Sequence, residues 1–241
     1  MNSTITRRQI LAAPAVAAGA HALQAAQSPG PAGALPGPRP GPPRVRIGIA
    51  GGRFGATFQW HLDPGCEVAA VCDIDAKALD RLAGTHKAKT TYKNFREMLR
   101  HPGLDAVGVF TPAPLHAWMA VEAMKAGKHV ISAVPAGLSE EELARILETV
   151  RSTGLRYMMA ETSYYRPEVI TCREWAREGR FGTIFYSESE YHHEGLNSLM
   201  FDDRGLPTWR HGFPPMHYPT HCTGMVVPVT GERLVEVQAI G

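Results

Sequence analysis

The chain is 241 residues long, 44% apolar and 20% charged, so it can bury a substantial core in one large domain or two small ones, and it is neither a disordered nor a fibrous sequence. Its formal net charge of +2 makes no case for nucleic acid or an anionic membrane surface as a partner. Its four cysteines, Cys66, Cys72, Cys172 and Cys222, form no CxxC pair or close framework, which argues against a zinc ribbon and a disulfide scaffold.

Residues 1–26 read as an export leader. Thr6-Arg7-Arg8-Gln9-Ile10-Leu11 sets paired arginines before the apolar, alanine-rich run Leu11–Ala20, and Ala20-His21-Ala22 is a small-x-small cleavage site. Paired arginines before a mild hydrophobic region have the form of a twin-arginine signal, which predicts a periplasmic or extracellular protein. The competing reading is a chance Arg-Arg pair ahead of an Ala-rich tail, with the protein staying in the cytoplasm. The run is too short and too weakly apolar to span a bilayer. Residues 27–43 are mostly proline and glycine and predict a flexible, partly extended linker. The folded part therefore begins near Arg44.

From Arg44 onward, strand-like and helix-like runs alternate. Val45, Ile47 and Ile49 make an apolar strand, Gly51, Gly52 and Gly55 a tight turn, and Ala56–Leu62 begins a helix. Val68–Cys72 predicts a strand ending at Asp73, and Asp75–Leu82 a helix with Asp75 as N-cap. Tyr92–Arg100 reads as a short helix, Ala106–Phe110 as a strand, Leu115–Ala126 as a helix stopped by Gly127, and His129–Ser132 as a strand. Ser139-Glu140-Glu141-Glu142 has capping-box spacing, and the helix it opens carries Leu143, Ile146, Leu147 and Val150 on one stripe. Gly154 closes it, and Tyr157–Ala160 is a further strand. This succession predicts an α/β fold over 44–163, a doubly wound parallel (Rossmann) sheet with right-handed crossovers. After Tyr164 come a helix, Pro167–Glu178, an alternating strand, Thr183–Tyr191, a polar loop, Glu194–Pro215, a helix near Thr220–Val227 and a strand, Leu234–Ile240. They predict an incomplete α+β substrate domain over 164–241, because two strands are too few to stand alone.

The glycine turn holds the first functional signal. A strand, a glycine turn and a helix N-terminus let backbone N–H groups face a pyrophosphate that a bulky side chain would obstruct. The fingerprint is imperfect: Ala50 stands at its first position, giving Ala50-x-Gly52-x-x-Gly55. Its context is stronger, since Asp73 ends the next strand about twenty residues later. An acid there accepts from the adenosine ribose hydroxyls and repels a 2′-phosphate, which predicts NAD over NADP. The candidate cofactor contacts are Gly51, Gly52, Arg53, Phe54, Gly55 and Asp73. A glycine turn that merely permits close packing is the alternative.

Four phrases in order carry a family resemblance: Gly48–Gly55, Ala70-Val71-Cys72-Asp73, Thr111-Pro112-x-x-Leu115-His116 and Ala126-Gly127-Lys128-His129-Val130. Together they resemble the Gfo/Idh/MocA oxidoreductases. The resemblance spans residues 44–241 and implies an N-terminal NAD(P)-binding Rossmann domain followed by a C-terminal α/β domain. That second domain's open sheet would support the substrate site and homo-oligomerisation, and most of it would lie beyond residue 241. The resemblance places Thr111, Pro112, His116, Ala133 and Val134 against the cofactor. It implies hydride transfer to or from a carbohydrate or cyclitol.

Where typical members carry Glu-Lys-Pro, this chain has Ala133-Val134-Pro135. That departure, with Met158-Met159-Ala160-Glu161, Tyr191-His192-His193, Trp209-Arg210 and Tyr218-Pro219-Thr220-His221, is similar to a branch of NAD-dependent glycoside hydrolases of the α-N-acetylgalactosaminidase type. By that resemblance the catalytic group falls on Glu161, Tyr191, His193, Tyr218 and His221, and the hydride taken from the sugar is returned to it after elimination and water addition. A catalytically silent sugar- or nucleotide-binding protein is the third reading, motivated by the absent lysine.

The residues themselves suit acid–base chemistry. His221 offers an imidazole that can act as acid or base, and Tyr218 lies three residues earlier, so a helical turn or tight bend aims both into one cleft. Tyr191 and His193 alternate with His192 and share a strand face. Glu161 ends a strand, where ligand sites of α/β sheets lie. Each has a plainer reading: a backbone-bonded histidine, a core tyrosine, a buried sheet face, a structural ion pair and, for His116, a helix cap. His217 and His221 are spaced like zinc ligands, with His192, His193 and His211 near in sequence, but Pro219 between them opposes a regular helical turn and no metal is expected.

Overall fold

Six short runs pair in parallel into one sheet: β1 (Val45–Ala50), β2 (Cys66–Cys72), β3 (Thr91–Tyr92), β4 (Ala106–Val109), β5 (His129–Ser132) and β6 (Tyr157–Met159). They are seen in a computed structural model that describes residues 44–240. The leader and linker read from residues 1–43 lie outside the described residues. The strand order is β3-β2-β1-β4-β5-β6. The chain therefore winds outward from β1 in one direction, then returns to β1's other side for β4, and the sheet reverses between these two strands.

Helices cover both faces, as a parallel sheet requires. On one face, Leu79 and Leu82 of α1 (Ala76–His86) pack with Ile47, Ile49, Val71 and Phe110. On the other, α2 (Phe95–Leu99), α3 (His116–Lys125) and α4 (Glu140–Thr153) bring Met98, Ala120, Met124 and Ile146 against Ala50, Val107 and Val109. The caps follow their local chemistry. Asp75 accepts from the Ala78 amide, Asn94 from those of Arg96 and Glu97, and Ser139 from that of Glu142. Tyr92 belongs to β3, so the helix expected from Tyr92 begins only after the Asn94 cap. On α4 the buried side chains are Ile146 and Thr149, whereas Leu143 and Leu147 of the expected stripe are 46% and 49% exposed.

Three expected elements are not formed. Ala56–Leu62 is not a helix but two 3₁₀ turns, Gly55–Thr57 and Trp60–Leu62. Pro64-Gly65 returns the chain to β2 too soon for several helical turns. Aromatic rings fill the space instead, with Phe58 stacked 5.6 Å from Trp60 and 4.6 Å from Phe110. Thr183–Tyr191 and Leu234–Ile240 run without regular strand pairing, and Phe185 and Val235 stand 96% and 98% exposed. Alternation gives a segment two faces, but a strand also needs a neighbour for its backbone groups, and none is present among the described residues. The chain beyond β6 is instead helical where it is regular: α5 (Pro167–Arg177), α6 (Leu196–Met200) and α7 (Thr220–Thr230). α7 packs on α5 and on the 3₁₀ turn Thr162–Tyr165 that follows β6. Among the described residues no helix is long and apolar enough to cross a membrane.

Candidate active site

A cleft of about 1620 Å³ opens at the carboxyl ends of the strands, beside the reversal between β1 and β4, which is where open parallel sheets hold ligands. Its first wall is the glycine turn. Gly51 has φ +102°, and a Cβ there would lie 2.3 Å from the Phe110 carbonyl oxygen. A Cβ on Gly52 would lie 2.2 Å from the Ala78 carbonyl oxygen. Neither position admits a side chain, so the backbone is left bare toward the cleft. The N–H groups of Arg53 and Phe54 make no hydrogen bond among the described residues. They are donors for an anion, although they belong to a turn and not to the helix N-terminus expected there.

Asp73 sits where the sequence places it, at the end of β2, but it also builds the turn. Its Oδ2 accepts from the Gly52 amide at 2.6 Å and its Oδ1 from the Asp75 amide at 2.8 Å. Beneath the turn, His86 at the end of α1 is 3% exposed and donates through Nε2 to the Gly55 carbonyl at 3.1 Å. Burial pushes the His86 pKa down, against the pull of that carbonyl. His86 thus stays neutral with its proton on Nε2.

The next loops are tied together by His116. It is 2% exposed, with Nε2 2.7 Å from the Thr111 carbonyl and Nδ1 2.8 Å from the Pro135 carbonyl. The residue lies between the loops after β4 and β5 and also borders the cleft, where the sequence places it as a cofactor contact. Burial pushes its pKa down while the two carbonyls pull it up. Thr111, Pro112, Ala133 and Val134 line the cleft beside it.

A second wall, rich in titratable side chains, is built around the turn that follows β6 and the start of α7. Glu161 and His221 are each 7% exposed, and His221 Nδ1 lies 2.8 Å from Glu161 Oε1, which also accepts from the Ser163 amide at 2.8 Å. Burial works to raise the Glu161 carboxyl. The His221 and Ser163 donors outweigh it and hold the group below its usual range, and the nearby Thr220 hydroxyl adds to their pull without reaching hydrogen-bonding geometry. An ionised Glu161 only accepts, so Nδ1 carries the His221 proton and Nε2 is the basic nitrogen. The His221 ring lies 4.3 Å from Tyr191 and 5.5 Å from Tyr218, nearly parallel to both. Tyr191 stands 6.1 Å from His193, edge to face, and all four rings border the cleft. His193 is exposed and bonds the Glu194 carbonyl. His217 lies in the 3₁₀ turn before Pro219 and His221 opens α7, so the two do not share a helical face.

The sequence reading omits two contributors. Arg210 Nη1 donates to the Tyr218 hydroxyl at 2.8 Å. Gly224, one turn after His221, lets α7 close onto Glu161: a Cβ there would meet Glu161 Cγ at 2.6 Å. Arg210 belongs to a quoted Trp-Arg phrase, but its partner cannot be read from spacing. The His221–Gly224 interval is visible in the sequence, and its reason is not.

The strand order, bare glycine turn and terminal acid define the class, a dinucleotide-binding Rossmann domain. More narrowly, residues 45–161 match the GFO_IDH_MocA family, described as an oxidoreductase family with an NAD-binding Rossmann fold, and this domain belongs to that family. A glycosyl hydrolase family 109 protein of Shewanella amazonensis is 31% identical over 198 residues, covering 76% of this chain and 44% of that protein. The chain thus spans less than half the length of that curated relative. Among solved structures, a Bordetella bronchiseptica RB50 protein superposes with a TM-score of 0.65 at 22% identity, over 79% of this chain and 50% of that one. Scyllo-inositol dehydrogenase from Lactobacillus casei, with NAD(H) and scyllo-inositol bound, gives 0.54 at 23% identity, over 58% and 43%. A 3-ketoreductase from Actinomadura kijaniata with bound NADP gives 0.52 at 24%, over 58% and 46%. These structural likenesses show the fold.

Proposed function

We propose that this chain is the cofactor-binding part, with one wall of the substrate site, of an NAD-dependent oxidoreductase acting on a carbohydrate or cyclitol by hydride transfer. The observation that carries it is the buried Glu161–His221 pair, stacked between two tyrosines and opening into the cleft that the glycine turn also borders. The turn suits a dinucleotide: Gly51 and Gly52 form a cradle that a Cβ would fill, and Arg53 and Phe54 offer free N–H donors. Asp73 supports NAD over NADP, since its carboxylate would repel a 2′-phosphate. When bound, the nicotinamide supplies a hydride acceptor and donor. The chain supplies the proton chemistry. His221 Nε2 takes the proton of a substrate hydroxyl, and Glu161 holds the ring's tautomer and stabilises the imidazolium that forms. The paired arginines at Arg7-Arg8 support export by a twin-arginine route, and the near-neutral charge fits a small-molecule substrate.

A second reading is a redox-neutral glycoside hydrolase. Two observations favour it: the curated relative's name, and a wall with more acid–base groups (His221, Tyr218, Tyr191, His193) than alcohol oxidation needs. Aryl glycosides offered to the full-length protein without added cofactor decide between them. Aglycone release with exchange of the sugar's C2 hydrogen into solvent supports the hydrolase. Reduction of added NAD⁺ by free polyols, with no aglycone release, supports the dehydrogenase. Neither activity, across a panel of sugars and cyclitols, would count against both.

A further inference from the structure

The two tyrosines that flank His221 differ in their surroundings. Tyr218 accepts a hydrogen bond from the Arg210 guanidinium at 2.8 Å, while the Tyr191 hydroxyl has no hydrogen-bond partner among the described residues. Arg210 is itself well held. Its guanidinium carbon lies 4.5 Å from the Trp209 ring and 5.8 Å from the Tyr218 ring. Among the described residues no carboxylate pairs with it. Among the described residues the other titratable groups facing Tyr218 are His221 and Tyr191, with Glu161 behind His221, and the Phe213 ring stands edge to face 5.8 Å away.

A guanidinium has only hydrogens to give. A phenol oxygen that accepts one must turn its own hydrogen elsewhere, and the Tyr218 side chain borders the cleft. We propose that Arg210 is a positioning residue that makes Tyr218 the fixed O–H donor of the site, aimed at a substrate oxygen, opposite the proton acceptor His221. This rests on the reading of the cleft as a substrate site. The direction of the Tyr218 titration agrees with it: burial pushes the hydroxyl above its usual range, so it keeps its proton to donate, and Arg210 limits that rise.

The test is ¹³C NMR of the full-length protein, without ligand, labelled at the tyrosine Cζ. The Tyr218 resonance is the one lost in Tyr218→Phe. Arg210→Gln is expected to raise the alkaline titration midpoint of Tyr218 by about one unit, Arg210→Lys to restore most of it, and Tyr191 to stay where it was. A Tyr218 midpoint unchanged by Arg210→Gln overturns the proposal. Arg210→Met, which keeps the aliphatic stem, repeats the test should the glutamine variant not fold. Turnover gives a second readout. Arg210→Gln and Tyr218→Phe are expected to lower kcat by similar factors, with no further fall in the double variant, and additive losses would refute the coupling. NAD⁺ binding, measured separately by calorimetry, reports on the cofactor reading alone. Its absence beside a shifted Tyr218 midpoint would sink that reading and leave the Arg210–Tyr218 pair standing.

Discussion

The Gly52 amide donates to the Asp73 carboxylate across 2.6 Å, and this contact ties the turn after β1 to the end of β2. Asp73 therefore holds the turn, and in the proposed nucleotide complex it would also face the ribose. Asp73→Ala is expected to cost about 1–3 kcal/mol of stability, because it leaves the Gly52 and Asp75 amides without their acceptor, and to weaken NAD⁺ binding tenfold or more. Asp73→Asn keeps an acceptor for only one of the two amides and sets its NH2 against the other, so it should recover only part of that stability while losing discrimination against NADP⁺. Thermal melts and calorimetry with both nucleotides check this. Equal nucleotide preference in the wild type would contradict it.

The glycine turn should tolerate no Cβ at its first two positions. Gly51→Ala combines a positive φ with a 2.3 Å approach to a backbone oxygen, and Gly52→Ala a 2.2 Å approach. Both should abolish measurable nucleotide binding. Gly55→Ala meets side chains and no backbone, Ile49 at 3.0 Å, Phe110 at 3.4 Å and Leu82 at 3.5 Å, and should bind with a modest loss. A fluorescence titration with NADH ranks the three variants, and the ordering fails if Gly55→Ala is the worst.

The Glu161–His221 pair makes stability depend on pH. The folded-state pKa of Glu161 lies below its ordinary value of 4.5. Its contribution is therefore complete above the ordinary carboxylate range and is lost as pH falls through the lowered folded value. Glu161→Gln should flatten this part of the acid limb of the melting temperature against pH. It should also reduce kcat about 100-fold, since His221 loses the charge that stabilises its protonated form. His221→Ala leaves a buried carboxylate without its partner and should cost about 3–5 kcal/mol. An acid limb identical in wild type and Glu161→Gln would show that the carboxylate is not held as described.

Gly224 provides a test of positioning at a distance from the nucleotide. Gly224→Ala drives a Cβ to within 2.6 Å of Glu161 Cγ, so the carboxylate must shift. The expected cost is about 1–3 kcal/mol of stability, with kcat lowered and NAD⁺ affinity unchanged. Loss of NAD⁺ affinity equal to the loss of kcat would show that the effect is not confined to the acid–base wall.

What could be read from sequence follows contact distance along the chain. Val45, Ile47, Ile49, the glycines and Asp73 are legible because strand, turn and acid form one local unit with a known period and spacing. Ala56–Leu62 misleads because helical periodicity carries no information on the early return at Pro64-Gly65 or on Phe58 filling the gap against Phe110. Thr183–Tyr191 misleads in the opposite way: its alternation is real, and Tyr191 and His193 do reach one cleft, but no described neighbour pairs with it. The contacts that make the wall join distant positions, Glu161 to His221 and to Gly224, while Arg210 meets Tyr218 across a Pro/Gly-bearing loop. None has a periodic signature, so the family phrases could name most of these residues without disclosing their pairing. His86 beneath Gly55 had no sequence signal at all.

In the proposed function, the glycine turn and Asp73 hold an NAD nucleotide beside the Glu161–His221 pair. The most direct measurement is mass spectrometry of nucleotide released from the purified full-length protein, with NAD⁺ titrated into any nucleotide-free fraction. NAD is expected, near one per chain and lost in Gly52→Ala. A protein that carries no nucleotide and shows no affinity for NAD⁺ or NADP⁺ would contradict it.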